Sequence, residues 1–336
     1  MTMRRMRSRL SGMFVLVTLV FVCLSALACD ETEPNGTQPP IHTIGVVKTA
    51  SSLDPVLYGF RDGMAELGYT EGNSLVYVYA NLSGTRADEI QPRVEELMQG
   101  SLDLVLSLGA PATLAVKQAT SGTGVAVVFL SHDPISAGIV SDLRHPGGNM
   151  TGTRNEPADG RRLELLLQAA PHVRRIFVPY NPDDPDPVNA LGAVRETAAK
   201  LGLELVLHEA RSDGEVGAAI AAIPGDVDAV FLMPDAVVTS RMADWVVACL
   251  ERGLPLSGPS RDSVTDGALF TYGADQYEGG KQAARLADQI LKGASEPGEL
   301  PVETSPLVFD INLRTAHPLG LAIPEDMLRQ ADNIIR

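Results

Sequence analysis

Cysteine is scarce in this chain. Its 336 residues contain 3, and two of them, Cys23 and Cys29, lie close to the N-terminus. Cys249 remains, inside the apolar helical stretch Trp245-Val246-Val247-Ala248-Cys249-Leu250, where it reads as a buried core thiol. No disulfide framework can form, so stability has to come from a large apolar core. No Cys/His cluster has zinc spacing. Aromatic residues are 5% of the chain, with 1 tryptophan. That argues against extended stacking platforms for bases. Positive charge is also in short supply, with 27 basic against 42 acidic residues. Such a balance argues against nucleic acid and against charge-driven adhesion to anionic lipid. Catalytic signatures are few. His132 beside Asp133 suggests an exported enzyme as one reading, but no G-x-S-x-G nucleophile motif accompanies it. Gly147-Gly148-Asn149 lacks the Gly-Lys-Ser/Thr end of a phosphate loop and reads as a turn. No cofactor is expected.

What the N-terminus does contain is an export signal. Arg4, Arg5, Arg7 and Arg9 precede an apolar run over residues 13–28, which ends in Ser25-Ala26-Leu27-Ala28-Cys29. Basic start, apolar middle and small residues before a cut form the layout of a signal peptide over residues 1–28. A cysteine directly after the small residue resembles a bacterial lipobox, with Cys29 as the lipidated first residue of the mature chain. Ala26-Leu27-Ala28 equally fits ordinary A-x-A cleavage, which would release an unanchored protein. An uncleaved anchor is a third reading, although the apolar run is shorter than the roughly 20 residues a spanning helix needs. Removal of the signal leaves 23 basic against 42 acidic residues, a net charge of −19. Residues 29–40 are polar and Pro-rich and read as a flexible tether.

From Ile41 the pattern becomes alternating strand and helix. Ile44-Gly45-Val46-Val47 is a buried strand, and Leu53, Val56, Leu57, Phe60, Met64 and Leu67 follow at helical spacing until Gly68. Strands over residues 74–80, 102–108 and 125–130 alternate with helices near 90–98 and 112–119. The order then repeats: strands at 175–178, 203–207 and 227–233, helices at 188–201, 215–223 and 237–252, and a strand beginning at Pro255. Met64-Ala65-Glu66-Leu67-Gly68 has a counterpart in Ala198-Ala199-Lys200-Leu201-Gly202. One α/β unit is used twice. The expected fold is two Rossmann-like, three-layer α/β lobes with parallel sheets and a cleft between them.

Ligands of open parallel sheets bind outside the carboxyl ends of the strands. Matched loops occur there in both halves: residues 48–52 and 180–183, 109–113 and 234–237, 131–134 and 258–262, then 270–275. The start of a helix at 110–113 offers free backbone N–H groups suited to a carboxylate. Asp235 stands at the equivalent place in the other half and could accept an ammonium. Ordinary helix capping is the alternative for any one of these residues.

Several motifs resemble the bacterial ABC-transporter substrate-binding proteins that include tryptophan- and phenylalanine-binding members. They are Gly45-Val46-Val47, Leu67-Gly68-Tyr69, Glu71-Gly72-Asn73, Asp133-Pro134, His145-Pro146-Gly147-Gly148-Asn149, Leu163-Glu164-Leu165-Leu166, Tyr180-Asn181-Pro182, Thr271-Tyr272-Gly273-Ala274-Asp275 and Leu319-Gly320-Leu321-Ala322-Ile323-Pro324. The resemblance implies a hinged, periplasmic-binding protein type I-like fold that captures a small solute, an amino acid or related carboxylate, for a permease with a cytoplasmic ATPase. It implies a monomer without enzymatic activity, on the outer side of the membrane and held there only by its lipid. A sensor presenting the solute to a membrane receptor is the alternative. The implied lobes are 41–153 plus 271–300 and 154–270 plus 301–336. Ser51, Ser52, Ala110, Ala112 and Thr113 would line one lobe and Tyr180 and Asn181 the other. Asp133 lies in a neighbouring loop, and Asp235 and Asp275 would meet polar or cationic groups. Family members commonly carry Gly-Thr-Pro-Ala where this chain has Gly109-Ala110-Pro111-Ala112, which removes one hydroxyl donor.

Mass spectrometry of the mature N-terminus should find a lipid-modified Cys29. An unmodified N-terminus at residue 29 would instead establish A-x-A cleavage.

Overall fold

The computed structural model describes residues 40–82, 85 and 87–336. The signal peptide, Cys29 and the tether up to residue 39 lie outside the described residues. The first half runs β1 (His42–Lys48), α1 (Asp54–Glu66), β2 (Leu75–Asn81), α2 (Ala87–Leu97), β3 (Leu104–Leu108), α3 (Ala110–Thr120), β4 (Ala126–Ser131) and β5 (Met150–Arg154). Next come α4 (Asp159–Ala169), β6 (Arg175–Tyr180), α5 (Pro185–Leu201), β7 (Glu204–Glu209), α6 (Asp213–Ala221) and β8 (Ala229–Phe231). After these come α7 (Ala236–Thr239), α8 (Met242–Glu251), β9 (Leu256–Ser257), α9 (Arg261–Thr265), β10 (Phe270–Ala274) and α10 (Gln276–Leu291). The chain ends with β11 (Glu303–Thr304), β12 (Leu307–Asn312), α11 (Leu313–Ala316), α12 (Glu325–Gln330) and β13 (Asn333–Ile335). The single helix expected over 237–252 is two helices, α7 and α8, because Asp235 caps a short first turn that stops at Ser240.

Two sheets result. The first has the order β11-β5-β4-β3-β1-β2, the second β13-β12-β10-β9-β8-β6-β7. Stripped of late strands, both read 2-1-3-4-5, so the internal repeat seen in sequence is a repeat of topology. Every pairing is parallel except β10 with β12. Strands such as β3 and β4 are buried throughout, as parallel strands covered on both faces must be. Each sheet accordingly separates two apolar clusters, around Phe60 and Phe129 in the first lobe and around Phe270 and Trp245 in the second.

The chain passes between lobes three times, each slightly later than the sequence suggests. β5 stays in the first sheet to Arg154, so the first passage is at 155–158. Antiparallel pairing with β12 keeps residues 270–274 in the second sheet, so the next passage falls at Asp275 instead of at 270/271. Pairing of Glu303 with Thr153 and of Thr304 with Arg154 keeps β11 in the first sheet. The last passage is therefore at 305–306 instead of at 300/301.

Helix α10 returns to the first lobe and lies against α1 so closely that glycines form the contact. A Cβ at Gly280 would overlap the Val56 carbonyl, and one at Gly59 would overlap that of Tyr277. Gly280→Ala should destabilise by about 1–3 kcal/mol through overpacking, read as a lower Tm. Gly192→Ala, where nothing lies within 4 Å, should be neutral or stabilising by up to about 1 kcal/mol. Equal Tm values for the two variants would contradict this packing.

Candidate functional site

In a 2-1-3-4-5 sheet the strand order reverses between the first and third strands, and a crevice opens there at the carboxyl ends. Both lobes turn this crevice toward the other. The loops after β1 and β3 face those after β6 and β8 around a cavity of about 160 Å³. The first lobe contributes Ser51, Ser52, Gly109 and His132. The second contributes Asp159, Asp184, Asp186, Asp235, Ser260 and Asp262. Asn155, Ala274 and Gln276, at two of the passages, close its hinge side. The lobes touch beside it. The Ser52 hydroxyl donates to the Ala236 carbonyl at 2.7 Å, and the Ser131 hydroxyl donates to Asp186 Oδ1 at 3.0 Å. A second cavity, of about 390 Å³, shares Ser51 and Asp184 and adds Thr49, Pro111, Asn181 and Arg211.

The expected residues divide. Ser51, Ser52 and Asp235 line the first cavity and Asn181 the second. Ala110, Ala112 and Thr113 are wholly buried and do not reach it. They turn onto the sheet from the first turn of α3, where the Thr113 hydroxyl donates to the Gly109 carbonyl at 2.8 Å. Gly109 and Pro111 form the wall there instead. Asp133 closes a local turn, accepting the Ser136 N–H at 3.1 Å and its hydroxyl at 2.6 Å. Tyr180 packs on the second lobe's core. Asp275 caps α10 by accepting the Glu278 N–H at 3.1 Å and pairs with Arg261 at 2.5 Å. It thus sits at the passage into α10 and outside the cavity wall.

Asp235 is 2% exposed. Its Oδ1 accepts the N–H groups of Val237 and Val238, each at 3.0 Å, and its Oδ2 accepts that of Asn181. Asp184 caps α5 by accepting the Asp186 N–H at 3.0 Å. Burial pushes the Asp235 carboxyl up to about 6. Burial also raises the Asp184 carboxyl well above its usual range, with the charges of Asp186 and Asp235 adding to it. Asp262 is likewise raised by burial to about 6. Among the described residues no group of three acids, histidines or cysteines is arranged to hold a metal ion.

Sequence reasoning missed the most heavily buried charges. Arg162 is 1% exposed. Its guanidinium donates to Asp159 Oδ1 at 2.7 Å, the Leu232 carbonyl at 2.8 Å and the Ser257 hydroxyl at 3.2 Å, and lies 3.9 Å from the centre of the Phe231 ring. The other Asp159 oxygen faces His132 Nε2 of the opposite lobe at 3.4 Å. Burial alone would raise the Asp159 carboxyl. The neighbouring His132 imidazole and the Arg162 charge outweigh it and hold the group well below the carboxylate range. Burial alone would lower the His132 imidazole. Asp159 first, then Asp186 and Asp133, outweigh it and hold the ring above its ordinary value. The available signals were the i,i+3 spacing of Asp159 and Arg162, and acids set among prolines in Asp184-Pro185-Asp186-Pro187.

A family model described as ABC transporter substrate binding protein matches residues 43–335. A tyrosine-binding protein of Clostridioides difficile (strain R20291) is 27% identical over 253 residues, covering 75% of this chain and 72% of the relative. The crystal structure of a conserved domain protein from Vibrio cholerae superposes with a TM-score of 0.79 at 28% identity, covering 88% of this chain and 99% of the other. A domain from Streptococcus pneumoniae solved in complex with L-Trp superposes with a TM-score of 0.79 at 26% identity, covering 88% and 100%. The two-lobed α/β architecture with parallel sheets is that of type I periplasmic-binding proteins.

Removing one partner from a buried ion pair leaves an uncompensated charge. Arg162→Met should therefore destabilise by about 3–5 kcal/mol, measured by urea unfolding. Adding Asp159→Asn should recover part of the loss. A single variant within about 1 kcal/mol of wild type would show that this pair does not hold the second lobe together.

Proposed function

The chain belongs to the ABC transporter substrate-binding protein family, and from that premise we propose that it captures an amino acid or related small carboxylate in the interlobe cleft. The protein would be a lipid-anchored monomer outside the cytoplasmic membrane, tethered through Cys29, which hands its solute to a permease powered by a cytoplasmic ATPase. The supporting observation is the cavity itself. It is lined by both lobes, which hydrogen-bond beside it at Ser52–Ala236 and Ser131–Asp186.

The chemistry of its walls suits a zwitterion. Asp184, Asp186 and Asp235 are buried on the second lobe, with no lysine or arginine among the described residues that line the cavity. An ammonium would relieve their mutual repulsion. Across from them, the first lobe offers the Ser51 hydroxyl. Relatives that bind tyrosine and L-Trp support the amino-acid class. Closure would be a hinge motion at the three passages, with ligand shifting an open–closed equilibrium. The linkers at 155–158, Asp275 and 305–306 are short enough to act as such a hinge.

A thermal-shift screen of the mature protein should give a rise in Tm with one or more amino acids. A ligand at 100 times its Kd adds about 2.7 kcal/mol of stability. Shifts produced by sugars or nucleosides and by no amino acid would overturn the reading.

A further inference from the structure

We propose that His132 is a specificity-determining residue of the cleft, whose Nδ1–H receives the carboxylate of the captured amino acid. The proposal rests on the amino-acid reading above and names the group that selects within that class. Among the described residues lining the cavity, His132 is the one side chain able to carry positive charge, amid seven carboxylates. The ring is 7% exposed and lines the cavity. Neither ring nitrogen has a hydrogen-bond partner. Nε2 lies 3.4 Å from an Asp159 oxygen as an ion pair, which leaves Nδ1 for a ligand. A buried donor without a partner is a rare and unfavourable arrangement, and a ligand oxygen would complete it.

The surroundings favour the protonated ring. Arg162 already occupies the other Asp159 oxygen at 2.7 Å. One carboxylate therefore sits between two cations, and the triad of His132, Asp159 and Arg162 carries a net positive charge when the imidazole is protonated. Three elements present acids to the ring: Asp159 at the start of α4, Asp186 at the start of α5, and Asp133 on the ring's own loop. Two of these are otherwise engaged. Asp186 Oδ1 accepts the Ser131 hydroxyl at 3.0 Å, and Asp133 accepts from Ser136. The cavity thus presents one side chain able to be cationic, His132, and the buried carboxyls of Asp184 and Asp235. That pair of opposite partners fits an α-amino acid and disfavours the same molecule lacking its carboxylate.

Calorimetric titration of the mature protein with L-tryptophan against tryptamine, and L-tyrosine against tyramine, tests the assignment. A charge-assisted hydrogen bond corresponds to about tenfold or more in affinity. Wild type should prefer the amino acid by at least that factor. His132→Gln should lose most of the preference through weaker amino-acid binding, with amine binding little changed and Tm retained. Amino-acid affinity of wild type should decline as pH rises through the raised range in which the imidazole gives up its proton. The variant should lack that decline. Should the variant not fold, the wild-type protein answers alone, because NMR titration should show the His132 midpoint rising when L-tryptophan binds. Unaltered preference and pH profile in the variant, or a midpoint insensitive to ligand, overturns the role of His132 and leaves amino-acid capture standing. Failure of wild type to bind any amino acid in the thermal-shift screen removes both.

Discussion

Arg162 is the constraint on which the cleft depends. A guanidinium cannot shed its proton inside a protein, so full burial demands a complete set of acceptors. It finds them in Asp159, Leu232 and Ser257, with the Phe231 ring against its face. These belong to α4 and to the carboxyl ends of β8 and β9, so the same contacts that satisfy the charge fix the rim of the second lobe. The first turn of α4 is thereby held where Asp159 meets His132 of the other lobe. Core satisfaction and interlobe contact are one network.

Around that network the architecture is a duplicated 2-1-3-4-5 sheet, and the duplication explains where the cavity is. Two switch points face each other because the chain crosses between lobes at one end of both sheets. Helix α10 locks the return path, since Gly59 and Gly280 let it approach α1 to backbone contact. The lobes can therefore be rigid while the short passages between them move.

Much of this is visible in the residues. Alternating apolar runs disclosed the strands, Gly68 and Gly202 marked helix ends, and matched loops located the crevice. The passages at Asp275 and 305–306 were misplaced because β10 and β11 are set by pairing partners far away in the chain, β12 and β5. Residues 110–113 show the limit for side chains. Their helix start was legible, but which way Ala110, Ala112 and Thr113 turn follows from the sheet beneath α3, and they turn inward. Asp275 likewise offered a carboxylate that the fold commits to Arg261 and to capping.

The sequence by itself determined the double α/β plan, the export signal and the loops that form the cleft, because each is written in local periodicity or adjacent residues. Only the tertiary structure decided which polar groups face the cavity and in what charge state. Asp159, Asp186 and His132 lie 27 to 54 residues apart in sequence, and their burial and pairing exist only once two sheets and three passages bring them together.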